Sequence, residues 1–202
     1  MIKAITFDLD GVYFPSGKAN FIKAVVSLGV AEDEVKRVFL KSFEMNERYK
    51  IGVMTDDEFW TWAAEQWQLD MAPKQLIELL GDSYEVDPKV VEVVRMARRS
   101  GYKTLVCSNN FPARVNELQR KFAFLDNFDA AVFSYEIGAV KPSEAIFQEL
   151  VKRSGVMAEE IAFADDDAEK ISGAVAIGMT AFVYDGFEPF IDHLNSLGVK
   201  LA

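Results

Sequence analysis

The sequence predicts an α/β fold: a Rossmann-like parallel sheet core with an inserted helical-bundle cap. Three observations predict it. Five short apolar runs rich in strand formers are spread along the chain, and the last four alternate with stretches of helical period. Between the first run and the rest lies a tract, residues 18–84, with helical periodicity only. Polar residues follow directly on the apolar runs, where open α/β sheets bind ligands.

The first run, Ala4 to Phe7, reads as a buried parallel strand. It stops at Asp8-Leu9-Asp10-Gly11, two carboxylates one residue apart and a glycine that lets the backbone turn sharply. The helical tract divides into four. Phe21, Val25 and Leu28 mark the first helix, with Gly29 as its stop, and Val35, Val38, Phe39 and Phe43 form a second apolar stripe. Thr55 and Glu58 form a capping box for a third helix, expected to bury Phe59, Trp62 and Ala63. Pro73 suits the first position of a fourth, carrying Leu76, Ile77 and Leu80. Four amphipathic helices with short connections predict a small bundle over residues 16–85, set into a core of residues 1–15 and 86–202. The tryptophans and Phe59 are read as bundle core, since most have its spacing.

Asp87-Pro88 opens the next helix, which ends at Gly101. Strands follow at 104–107, 130–133, 161–164 and 181–184, each separated from the next by a helix. That order calls for parallel pairing through right-handed crossovers.

Composition bounds the function. At 202 residues, half of them hydrophobic, the chain can bury one good core. The formal net charge of −10 argues against nucleic acid, which needs a basic surface. No apolar run reaches the roughly 20 residues of a membrane span, and no signal-peptide pattern is visible. Cys107 is the only cysteine, so no intrachain disulfide forms and a cytoplasmic location is expected. Next to Ser108, Cys107 is read as a small buried hydrophobe. The only histidine, His193, falls in a surface helix and is read as structural, so acid–base work passes to carboxylates and lysine. The oligomeric state is not legible.

Polar groups follow four successive strands: Asp8 and Asp10, then Ser108 and Asn109, then Lys141, then Asp165 and Asp166. Each signal is common alone, since serine–asparagine pairs cap helices and acid-rich loops are usually solvated. Four in this order are specific.

In these motifs the chain resembles the haloacid dehalogenase superfamily, in the branch with a helical cap between the first and second motifs. They are Asp8-Leu9-Asp10-Gly11-Val12, a strand ending in Ser108-Asn109, Lys141-Pro142, and a strand ending in Asp165-Asp166. In texture it is similar to sugar-phosphate phosphatases and to the amino-terminal phosphatase domain of epoxide hydrolases. The resemblance implies a Mg²⁺-dependent phosphatase acting on a small phosphorylated substrate through an aspartyl-phosphate. By that analogy Asp8 is the nucleophile, and Asp10 protonates the leaving oxygen and then activates water. Ser108 and a backbone N–H near Asn109 hold the phosphate oxygens, and Lys141 offsets their charge. Asp8, Asp166 and the carbonyl of Asp10 hold Mg²⁺, supported by Asp165, in keeping with that ion's preference for oxygen.

One position departs from the family pattern: Lys170 stands where members often carry Asn or Asp, leaving Asp167 or Glu169 to support the metal. A phosphomutase would keep every residue named. A 2-haloacid dehalogenase would need neither Asp10 nor the acid pair, and a receiver-like binding module would not carry so long an insertion after Asp-x-Asp-Gly. In capped relatives the loop between the second and third cap helices touches the leaving group. Here that loop holds Arg48, Tyr49 and Lys50, so Arg48 or Lys50 with Tyr49 is expected to select a polar or anionic leaving group. The competing reading is a pair of solvated cations at a helix C-terminus.

Overall fold

A computed structural model describes residues 1–202. Strands β1 (Ala4–Phe7), β2 (Lys103–Ser108), β3 (Ala130–Phe133), β4 (Ile161–Asp165) and β5 (Thr180–Val183) form one sheet. Its order is β3-β2-β1-β4-β5, and every pairing is parallel. β1 lies at the centre, and the chain departs from it first toward β2 and later toward β4. Phe7 aligns with both Val106 and Ala164. The residues just beyond three neighbouring strands therefore emerge at one edge, beside the reversal of strand order where such sheets bind ligands.

Side chains alternate across the sheet with the period of two that strands impose. Ile5, Phe7, Val106, Ala162 and Ala164 enter the larger hydrophobic core, shared with the inserted helices, α5 (Pro88–Arg99) and α10 (Phe187–Ser196). Ala4, Leu105, Cys107, Ile161 and Phe163 enter a smaller one under α8 (Glu144–Ser154) and α9 (Ser172–Ala176). Cys107 is therefore a packing residue, and burial pushes its thiol up to about 12. His193 is exposed, stacked on Phe182 at 4.7 Å, with its Nδ1 2.8 Å from the Pro189 carbonyl.

The insertion holds α1 (Gly17–Ser27), α2 (Glu32–Lys36), α3 (Asp56–Trp67) and α4 (Pro73–Asp82). α3 opens with the expected capping box, Glu58 N–H donating to Thr55 Oγ1 and Thr55 N–H to Glu58. Its buried face is rotated from the expected one: Trp60 and Trp67 are buried with Phe59 and Ala63, while Trp62 is half-buried. The second apolar stripe also departs from expectation. After α2 the chain continues in wide π-type turns over Arg37–Lys41, leaves the helix at Ser42 and resumes them over Glu44–Tyr49. The break drops Phe43 out of phase, and it is 65% exposed.

One contact joins the two ends of the insertion, and another docks it on the core. A Cβ on Gly17 would lie 2.1 Å from the Tyr84 ring, so only glycine lets α1 start there. Tyr49 stacks on Phe59 at 4.4 Å and on Phe111, beyond β2, at 4.6 Å.

Candidate active site

β1 ends in Asp8 and then turns tightly, Phe14 N–H donating to the Leu9 carbonyl at 2.8 Å. Gly11, with φ +79°, makes that turn, and a Cβ there would strike the Asp166 carboxylate at 2.1 Å. The absent side chain is what allows the loop after β4 to close on the loop after β1.

Asp8 is buried, and Lys141 Nζ lies 3.1 Å from its Oδ1. The same ammonium contacts Asp165 and donates to the Cys107 carbonyl at 2.9 Å. Burial works against the charge of Lys141, but Asp8 and Asp165 outweigh it and raise its pKa, so it stays a cation. Asn109 fixes that lysine: its Oδ1 accepts from Lys141 N–H at 2.7 Å, and its Nδ2 donates to the Lys141 carbonyl at 3.1 Å. Both polar ends of the Asn109 side chain are thereby spent on the backbone of Lys141. Ser108 is buried at the end of β2.

Carboxylate oxygens of Asp8, Asp165 and Asp166 lie within 4.8 Å of one another. Burial and the neighbouring Asp8 charge push Asp166 up to about 6, as expected of acids crowded without enough cation between them. Hard carboxylate oxygens grouped in this way fit Mg²⁺. Lys170 reaches into the group, its Nζ 3.6 Å from Asp165, 3.8 Å from Asp166 and 3.5 Å from Asp167. Asp167 N–H donates to Asp165 Oδ1 at 3.0 Å, while its own carboxylate accepts from Glu169 N–H at 3.0 Å.

Asp10 has different company. Arg114 Nη2 lies 2.7 Å from its Oδ2 and Lys18 Nζ 3.2 Å from the same oxygen, while Tyr84 OH donates to Oδ1 at 3.4 Å. Burial raises the Asp10 pKa, but Arg114 and Lys18 overcome it and hold the carboxyl below its usual range. Arg114 is fully buried and held in turn, donating to Asn110 Oδ1 at 2.7 Å and Tyr84 OH at 3.0 Å.

Arg114, Lys18, Tyr84 and Asn110 are site residues that sequence reasoning missed. Arg114 left one signal, a cation within the apolar face of α6 (Pro112–Phe122), between Ala113 and Val115. Lys18 and Tyr84, on either side of the insertion, left none. The expectation for Tyr49 is corrected. It is fully buried, its hydroxyl donates to Asp56 at 2.5 Å and accepts from Trp60 Nε1 at 3.0 Å, and nothing polar is left for a ligand. The two neighbouring cations, Arg48 and Lys50, are half-buried at the end of the π-type turn, where Lys50 Nζ donates to Asn46 Oδ1 at 2.9 Å.

A central parallel strand running into a buried aspartate that is paired with lysine and grouped with two more acids marks an α/β enzyme whose candidate site lies beyond the strand ends. The profile of the haloacid dehalogenase-like hydrolases matches residues 2–178, and the chain belongs to that family. It is 25% identical over 189 residues to D-ribitol-5-phosphate phosphatase of Bacteroides thetaiotaomicron, covering 90% of this chain and 91% of that one. It is 26% identical to glyceraldehyde 3-phosphate phosphatase of Methanopyrus kandleri, covering 89% and 82%. A HAD family enzyme from B. thetaiotaomicron, solved with magnesium and inorganic phosphate, superimposes with a TM-score of 0.78 at 20% identity, over 94% of this chain and 99% of that one. No helix is long and apolar enough to cross a membrane.

Proposed function

We propose that the chain is a Mg²⁺-dependent phosphomonoester hydrolase acting on a small phosphorylated metabolite through an aspartyl-phosphate. The observation that carries this reading is the setting of Asp8, which faces Lys141 and the Asp165–Asp166 pair, with Asp10 one residue beyond the strand turn. The names of the two phosphatase relatives support the same substrate class.

An ester phosphate and a carboxylate nucleophile repel, so attack needs positive charge between them. Lys141 supplies part of it, and Asp8, Asp166 and the Asp10 carbonyl are the groups that would hold Mg²⁺, which adds charge neutralisation at the phosphate. Ser108 Oγ and a backbone N–H at Asn109 orient the non-bridging oxygens, since the Asn110 N–H already donates to Ser134 Oγ at 2.9 Å. Asp8 attacks phosphorus, the ester P–O bond breaks, and the Asp10 carboxylic acid gives its proton to the departing oxygen. Water then attacks the aspartyl-phosphate, Asp10 takes the water proton, and phosphate leaves with Asp8 restored. The pairing of Asp10 with Arg114 and Lys18 describes a resting state, which Asp10 must leave to carry a proton.

Asp8→Asn keeps the shape of the side chain and removes the nucleophile. Phosphate release from an aryl phosphate with MgCl₂ should fall by at least about 10³-fold with an unchanged circular dichroism spectrum. Undiminished release in that variant would overturn the mechanism.

A further inference from the structure

Arg114 sits where helices do not favour a cation. It lies in the first turn of α6, where the positive end of the helix dipole opposes it, and it is fully buried. Its guanidinium is nonetheless fixed. Nε donates to Asn110 Oδ1 at 2.7 Å and Nη1 to Tyr84 OH at 3.0 Å. Nη2 donates to the Asn109 carbonyl at 3.3 Å and lies 2.7 Å from Asp10 Oδ2. The guanidinium carbon stands over the Phe111 ring, 4.6 Å from its centre. Stability alone does not call for this arrangement, because a buried ion pair is often no better than apolar groups of the same volume.

The second cation on Asp10 is held differently. Lys18 Nζ lies 3.2 Å from the same Oδ2, but its side chain is 39% exposed and free to swing into solvent. Asp10 Oδ1 has the Tyr84 hydroxyl as its partner at 3.4 Å, long for a bond between oxygens. Asp10 can therefore leave its resting state by parting from Lys18 while Arg114 stays. We propose that Arg114 is the positioning residue for Asp10: it keeps hold of Oδ2, so that Oδ1 is the oxygen presented to the leaving group. As Asp8 bonds to phosphorus and the ester P–O bond breaks, the Oδ1 proton passes to the departing oxygen and Oδ2 remains on Arg114. When water attacks the aspartyl-phosphate, its proton returns to Oδ1. The inference rests on the phosphatase reading for the roles of Asp8 and Asp10, and it deepens that reading by naming the residue that aims the acid.

The test follows release of the alcohol in a single turnover, with enzyme in excess and Mg²⁺ present, which reads the first step alone. Glycerol 1-phosphate needs a proton on its leaving oxygen, and 4-nitrophenyl phosphate does not. Arg114→Lys keeps the charge but loses the planar fork that spans Asn110, Tyr84 and Asp10. It should slow release of glycerol by at least about tenfold and leave release of nitrophenol within about threefold. The half-saturating enzyme concentration should move by less than about threefold for either ester, since the loss falls on the chemical step. Tyr84→Phe keeps the ring and loosens the guanidinium, and it should show the same selective loss at about threefold or more. That variant decides alone if Arg114→Lys does not fold. Lys18→Met should instead raise the ratio of glycerol to nitrophenol release, because the resting state loses one of its two cations. A fall of that ratio to match Arg114→Lys overturns the assignment to Arg114. Equal loss on both esters, or none, in Arg114→Lys and Tyr84→Phe makes the arginine structural and overturns the inference, leaving the phosphatase reading standing. Release of neither alcohol by the wild type overturns the phosphatase reading and the inference with it.

Discussion

Lys170 is a cation set among the acids of the loop after β4. Its ammonium stands 3.5–3.8 Å from three carboxylates and so occupies part of the field a divalent cation would enjoy. It also helps Lys141 hold Asp165 ionised against burial. Removing one unit of positive charge a few ångströms from a doubly charged ion is worth on the order of 1–3 kcal/mol where solvent screens part of the field. Lys170→Asn should therefore bind Mg²⁺ about tenfold more tightly than the wild type in the absence of phosphate. Titration calorimetry checks this without any turnover. Equal affinities would mean that the lysine swings out of the loop before the ion enters.

At the scale of elements, the seam between insertion and core turns on α6. Its N-cap, Phe111, has no side-chain oxygen, and Asp56 of α3 takes that role, accepting from Ala113 N–H at 3.0 Å. The same Asp56 oxygen accepts the Tyr49 hydroxyl, while Phe111 stacks on the Tyr49 ring. One carboxylate thus caps a core helix and anchors the aromatic stack beneath the loop that presents Lys50. Asp56→Ala removes a helix cap and strands a buried hydroxyl, at a cost of about 2–3 kcal/mol. Urea denaturation should show a lower midpoint with an unchanged slope, and Asp56→Asn should recover most of the loss. A midpoint equal to that of the wild type would mean that water replaces the carboxylate at both partners.

For the whole molecule, the chain is strongly acidic, yet four cations converge on the site: Lys18, Arg114, Lys141 and Lys170. The groups that meet there come from both ends of the chain and from the insertion between them, so a ligand binding among them ties distant segments together. Ligands that bind only the folded state add about 2.7 kcal/mol at one hundred times their dissociation constant. For a chain of this size that corresponds to a rise in Tm of about 5–10 °C. Saturating MgCl₂ with inorganic phosphate should raise Tm by that amount over EDTA, and Asp8→Asn should blunt the rise. An unchanged Tm in the wild type would mean that these groups do not form one binding site.

Much of this protein is determined locally. Helix caps, proline positions and the two periods of hydrophobicity depend on neighbours a few residues apart, and they mark α6, β3 and the end of α8 within the sequence itself. Parallel alternation then leaves little choice about which edge carries Asp8, Ser108, Lys141 and Asp165, because strand direction fixes where each loop emerges. The insertion was less legible. Ser42 breaks its second helix, wide turns carry bonds such as Lys50 N–H to Met45 O and Val53 N–H to Arg48 O, and the phase of every side chain beyond moves. That shift buries Tyr49. Only tertiary structure decided the partners of Asp10, for Lys18, Tyr84 and Arg114 lie 8, 74 and 104 residues away in sequence. No local periodicity records a charge pair across that separation. Such a pair exists only once the two layers close over the sheet and exclude the water that would otherwise solvate each ion alone.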